Sequence, residues 1–220
     1  MKLHLVVEPH RTTHRSPIAF ALYRGLSSLG RRATHGYWTE PEAVGDAATW
    51  SFLRSASVEE IAAHLGRGKA VPFSELFEDL VLDVPAELDP RSLASFAEAA
   101  SVVIACGPTA EAETLAAELW GACSAASART GGKPVVLVAS YAGQAEIAQR
   151  RTRVARLLSL AGAPDSGSGP LLEEPVSWLE PAPKNDSPFL GTEVNKAMDE
   201  AGRVLARDLL ARIGRGTDRQ

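Results

Sequence analysis

Apolar positions along the chain alternate between short continuous runs and helically spaced stripes. Leu3, Leu5, Val6 and Val7 form a brief apolar run, as expected of a strand covered on both faces in a parallel sheet. Ile18, Leu22, Leu26 and Leu29 then recur at helical spacing behind Ser16-Pro17, where serine is a favoured N-cap and proline a favoured first helical residue. Gly30 marks the end of that helix. Residues 33–38 carry aromatic and β-branched side chains and predict a second, edge-like strand. Two continuous apolar runs predict further strands, SVVIACG at 101–107 and KPVVLVAS at 133–140. Between them, Leu115, Leu119, Ala122 and Cys123 share one face of an alanine-rich helix over 110–128.

Ile147, Val154, Leu157, Leu158 and Ala161 predict a further helix, stopped by Gly162. A last strand is expected within 171–179, where Pro175 argues against a long central one. Val194, Met198, Ala201, Leu205, Leu209 and Ile213 define a long C-terminal helix. Residues 39–90 are too long for an ordinary connection and read as an insertion between strands two and three. Its pattern holds helical pieces at the Ser57 to Glu60 capping box, over 73–80, and from Asp89-Pro90. The glycine- and serine-rich stretch beginning at 165 opens a mobile loop region extending to 192. Strand and helix thus alternate through a single α/β domain, 1–220, built on a parallel sheet with right-handed crossovers.

Composition narrows the partners. Acidic side chains outnumber basic ones 27 to 23, for a formal charge of −4, so neither nucleic acid nor an anionic membrane is expected to bind. The two cysteines are too few for a disulfide framework and lack metal-site spacing, which fits a reducing, cytoplasmic setting. No signal-peptide core follows the N-terminus, and no apolar run approaches the about 18 residues of a membrane span. His4, His35 and His64 do not combine with carboxylates at metal-ligand spacing, so no metal site is expected.

In a parallel α/β sheet, ligands bind outside the carboxyl ends of the strands. The loops at 8–16, 106–113 and 139–144 are therefore the places for chemistry. The first reads EPHRTTHRS. It offers Thr12, Thr13 and Ser16 hydroxyls, the Arg11 and Arg15 charges, and the open backbone N–H groups of the following helix, which together are the ingredients of a phosphate site. The bland alternative is that Ser16 caps its helix and the arginines are solvated. Neither the dinucleotide glycine fingerprint nor a GxxxxGK[ST] loop is present, so NAD-type and ATP-type cradles lose support and a monophosphate held largely by side-chain hydroxyls is the expected ligand.

The hydroxyl-rich loop behind β1, the later strand ending in CGP, and the segment GGKPVVLVASYAG together resemble the NAD(P)H-dependent flavin and quinone reductases of the flavodoxin-like fold. The landmarks span most of the chain. That resemblance implies a three-layer, five-stranded sheet of order 2-1-3-4-5, with FMN as cofactor and NAD(P)H as hydride donor. Ser16 would bind the flavin phosphate, helped by Thr13, His14 and Arg15. Pro108 and Thr109 would border the ring, and the turn containing Ser140, Tyr141, Gly143 and Gln144 would meet its pyrimidine edge. The expected activity is reduction of a flavin, quinone or related small aromatic acceptor, with hydride passing through the flavin N5 and no catalytic side chain required. The family also implies a homodimer, the flavin lying at its interface. At 108–113 the chain departs from the family pattern, having no aromatic or asparagine beside the ring but Glu111 and Glu113 instead. Two other readings accordingly stand beside the first. One is a flavodoxin-like binding or interaction subunit that has lost flavin; the other is an enzyme using the same strand-end crevice for a different phosphorylated ligand. Cys106 and Cys123 read as core residues, and the arginines at 150, 151, 153 and 156 as a solvated face or a 2′-phosphate site.

Overall fold

A computed structural model describes residues 2–8, 16–37, 76–84, 101–106, 109–129, 136–142, 147–162, 176–177 and 192–217. Six strands and four helices run through these segments in chain order. They are β1 (Lys2–Val7), α1 (Pro17–Ser28), β2 (Ala33–Tyr37), β3 (Asp79–Val84), β4 (Ser101–Cys106), α2 (Ala110–Arg129), β5 (Val136–Ala142), α3 (Ile147–Leu160), β6 (Val176–Ser177) and α4 (Thr192–Thr217). The strands form one parallel sheet in the order β2-β3-β1-β4-β5-β6.

The α/β class and the parallel sheet agree with the sequence pattern, and the strand count and order correct it. Asp79 and Leu80, placed in a helix by the pattern, begin a strand that inserts between β1 and β2, so the sheet does not follow the order 2-1-3-4-5. The segment DLVLDV is wholly buried. Its two aspartates break up the apolar run that ordinarily signals such a strand, and for that reason the pattern merged it with an insertion. The remaining expectations for 39–90 and 165–192 lie outside the described residues, apart from 76–84, 176–177 and 192.

Register assigns the two faces. Val6 on β1, Val81 on β3 and Val103 and Ala105 on β4 point to the side where Ile18, Leu22 and Leu26 of α1 meet Leu205, Ala206 and Leu209 of α4. Neighbouring positions such as Leu5, Val7, Leu80, Leu82 and Ile104 point the other way and are buried too. Both faces are therefore covered. The β1 to β2 and β4 to β5 crossovers travel in opposite directions along the sheet, and the right-handed rule sends α1 and α2 to opposite faces.

Helix ends follow local chemistry. Pro17 opens α1, while Gly30 and Gly162, both with positive φ, follow α1 and α3 in a backbone region that side chains resist. α1 and α4 cross where Gly25 faces Gly202, so closely that a Cβ on Gly25 would lie 1.9 Å from the Gly202 carbonyl oxygen. Arg24 and Asp199 pair across the same crossing, with Nη2 donating to Oδ2 at 2.7 Å.

Candidate functional site

The chain leaves β1 at Val7 and enters α1 at Pro17, so Ser16 stands at the carboxyl edge of the sheet, at the amino end of a 12-residue helix. Helix entry leaves backbone N–H groups without intrahelical acceptors, and the aligned peptide dipoles make this end positive. Pro17 has no N–H to offer. The donors of this turn are accordingly those of Ser16, Ile18 and Ala19.

β3 lies beside β1 in parallel, with Asp83 opposite Val6 in register and on the face covered by α1. Its carboxylate reaches the helix entry. Ser16 N–H donates to Asp83 Oδ2 at 2.6 Å, and both residues are buried. This is a short, charge-assisted bond at the positive end of a helix dipole. Ser16 has the extended backbone of an N-cap, yet its side chain makes no capping hydrogen bond. The bland capping role expected of that hydroxyl is thus absent. Among the described residues, Ser16 Oγ has no hydrogen-bond partner, and the residue is only 1 % exposed. A buried hydroxyl left in that state costs about 1–3 kcal/mol, which singles it out for explanation.

The other expected site residues are placed as follows. Arg11, Thr13, His14, Arg15, Pro108, Gly143 and Gln144 lie outside the described residues. Thr109 caps α2, its Oγ1 accepting the Ala112 N–H at 3.1 Å, a local role that accounts for the hydroxyl. Ser140 and Tyr141 belong to β5 itself and not to the turn behind it, Ser140 standing opposite Cys106 and Tyr141 opposite Val176. Of the arginine group on α3, Arg153 forms a two-pronged pair with buried Glu113, at 3.1 and 3.0 Å. Glu113 is thereby turned to a contact between α2 and α3.

Asp83 is the site residue that sequence reasoning missed. Its signal was the segment LVLDVP, a hydrophobic run ending in an acid at the carboxyl edge of a strand.

A second acidic centre sits at the opposite edge. Asp79 opens β3, where His4 Nε2 donates to its Oδ1 at 2.9 Å and Arg31 grips both oxygens through Nε and Nη2. His4 and Asp79 are fully buried. Burial alone would raise the Asp79 carboxyl, but the hydrogen bonds from His4 and Arg31 outweigh it and hold the group below the usual carboxylate range. The Arg31 guanidinium is correspondingly raised, chiefly by its bond to Asp79. This cluster lies at the amino edge of the sheet and ties β1, β3 and the segment behind α1 together.

Among the described residues, no three His, Cys, Asp or Glu side chains converge to hold a metal ion. No described helix is long and apolar enough to cross a membrane. The fold is that of a parallel-sheet α/β protein, with the entry of α1 standing beside the buried Asp83 carboxylate at the carboxyl edge of the sheet. No family model matches the chain, and no curated protein is significantly similar to it. Among solved structures, the MinD cell division protein of Aquifex aeolicus aligns with 100 % of this chain and 98 % of its own, at a TM-score of 0.47 and 9 % identity. The MinC:MinD cell division protein complex of the same organism aligns with 100 % and 97 %, at 0.47 and 8 % identity.

Proposed function

We propose that the chain binds a ligand bearing a phosphate chain, together with a divalent cation, at the carboxyl edge of β1 and β3. The observation that carries this reading is the buried, unpartnered Ser16 hydroxyl beside the Asp83 carboxylate at the entry of α1. A helix entry attracts phosphate, whereas a carboxylate in the same place attracts a cation. A hydroxyl at the helix start and an acid on the adjacent strand are the pair with which phosphate-loop proteins hold Mg²⁺ against a nucleotide. The residues fit that group. Ser16 and Asp83 would hold the cation, and when bound it would neutralise charge on the phosphate chain.

The sequence of the turn, which lacks the glycines and lysine of a phosphate loop, keeps only its length and its last hydroxyl and so calls for a different cradle. Residues 9–16, PHRTTHRS, keep the length of GxxxxGK[ST], with Pro9 and His14 at the glycine positions, Arg15 at the lysine and Ser16 at the hydroxyl. Without glycines the backbone has less freedom to wrap a phosphate chain, and arginine and threonine side chains take a larger share. The reading is therefore a binding module and not an efficient hydrolase.

FMN is the competing ligand. Its single phosphate would come to the same turn without a cation and meet the Asp83 carboxylate, which disfavours it. Thermal unfolding separates the two. At about 100 times its dissociation constant a ligand adds roughly 2.7 kcal/mol, which raises the Tm of a 220-residue chain by about 5–10 °C. Mg·ADP or Mg·ATP is expected to give such a rise and Ser16→Ala to abolish it. If FMN alone stabilises the protein and gives it a flavin spectrum, the cation-dependent reading is wrong and reduction by NAD(P)H takes its place.

A further inference from the structure

Resting on the phosphate reading of the Ser16 turn, we propose that Asp83 is a built-in competitor for that site. Its carboxylate occupies the Ser16 N–H, and an external phosphate gains the turn only when a divalent cation draws the carboxylate away.

The argument is one of shared donors. Pro17 removes one N–H from the first turn, so the Ser16 N–H is a large part of what the helix entry can give an anion. Asp83 Oδ2 already holds that donor at 2.6 Å, from a fully buried position. A phosphate on the same N–H would stand within a few ångströms of the carboxylate, and like charges at that range in a poorly screened site repel strongly. Binding therefore needs either loss of the Asp83 charge or a cation that both anions share.

The Ser16 hydroxyl supplies the second half of the device. It is buried and, among the described residues, bonded to nothing, whereas the N–H of the same residue is bonded at less than ordinary length. Hard cations take oxygen ligands, and Mg²⁺ in particular is held by one or two protein groups together with phosphate oxygens. Movement of Asp83 from the N–H to a cation shared with Ser16 Oγ would satisfy the hydroxyl and free the N–H in one step. The turn then exchanges its internal anion for an external one. Cation dependence in this scheme comes from release of the protein's own lock as well as from charge on the ligand.

The test uses pyrophosphate as the probe, titrated calorimetrically into the full chain with excess Mg²⁺ and again in EDTA. The wild-type protein is expected to bind at least tenfold more weakly in EDTA, and Asp83→Asn, which keeps shape and removes charge, to lose most of that difference. Equal wild-type affinity in both buffers, or an undiminished cation requirement in Asp83→Asn, overturns the lock while leaving the phosphate site standing. Absence of wild-type binding in either buffer overturns both. The wild-type amide spectrum gives a readout independent of any variant. Pyrophosphate with Mg²⁺ is expected to shift the Ser16 amide resonance, and EDTA to restore it; a Ser16 amide indifferent to both overturns the exchange.

Discussion

Replacing Gly202 by alanine is expected to lower stability although the residue lies inside α4, where alanine is the better helix former by about 1 kcal/mol. The reason is the crossing with α1. A Cβ at position 202 would lie 2.0 Å from the Ala21 carbonyl oxygen and 2.8 Å from its carbon. Both are backbone atoms, so no side-chain rotation relieves the overlap, and restoring an ordinary contact separates the helices by roughly 1 Å or more. That gap opens within the cluster of Ile18, Leu22, Leu26, Leu205 and Leu209, all fully buried. A gap of about 0.5–1 Å forfeits a quarter to a half of each dispersion contact it crosses, and overpacking a core costs about 1–3 kcal/mol or more. Set against the propensity gain, the net loss is about 2 kcal/mol, a Tm decrease of about 4–8 °C at this chain length. Gly214 lies in the same helix, with nothing within 4 Å of its would-be Cβ. There the same substitution should raise Tm by about 1–4 °C. Paired calorimetric melts of Gly202→Ala and Gly214→Ala check the reasoning. A Tm for Gly202→Ala at or above wild type refutes the close crossing.

Asp79→Asn, which strips a buried pair of its charge, should cost about 3 kcal/mol at neutral pH. Because folding lowers the Asp79 carboxyl, its contribution is fully present above the unfolded value of about 4 and disappears as pH falls through the folded one. Acid titration of stability below pH of about 4 should accordingly be steeper in wild type than in Asp79→Asn. Arg24→Ala should cost no more than about 1 kcal/mol by denaturant unfolding, since Arg24 and Asp199 are each one-third exposed. Burial pushes the Cys123 thiol up to about 12, and Cys106 is buried as well, so a thiol reagent at pH 8 should modify neither until denaturant is added.

What could be read from the sequence was what local pattern determines. Ser16-Pro17 and Gly30 bracket α1 as their chemistry requires, and the runs at β1 and β4 are continuous enough to stand as buried strands. β3 failed because its two acids look like surface residues. Their burial makes sense only once their partners are known, and those lie far along the chain. Asp79 meets His4 across 75 residues and Arg31 across 48, and Asp83 meets Ser16 across 67. No window of local periodicity contains such pairs. The site was legible in the same half-way. A hydroxyl ahead of a proline-started helix announced Ser16, but the carboxylate that accepts its N–H sits on the strand that local pattern hid. β5 runs to Ala142, two residues past the strand end expected at Ser140, which moves Tyr141 from loop to sheet.

The two aspartates of β3 argue for the division of labour along that strand. They stand four residues apart and hence on one face of the sheet, about 13 Å from each other. Chemically they are the same group, equally buried. At the amino edge, Asp79 is gripped by a guanidinium and an imidazole that belong to the protein, so its charge serves to lock β1, β3 and the segment behind α1 together. At the carboxyl edge, Asp83 is held by a backbone N–H at the positive end of a helix, a donor that phosphate recognises as readily as carboxylate does. On the phosphate reading proposed above, exchange with an outside anion belongs to this end of the strand. The orphaned hydroxyl of Ser16 marks the same end, which is why neutralising Asp79 should read out as stability and neutralising Asp83 as binding.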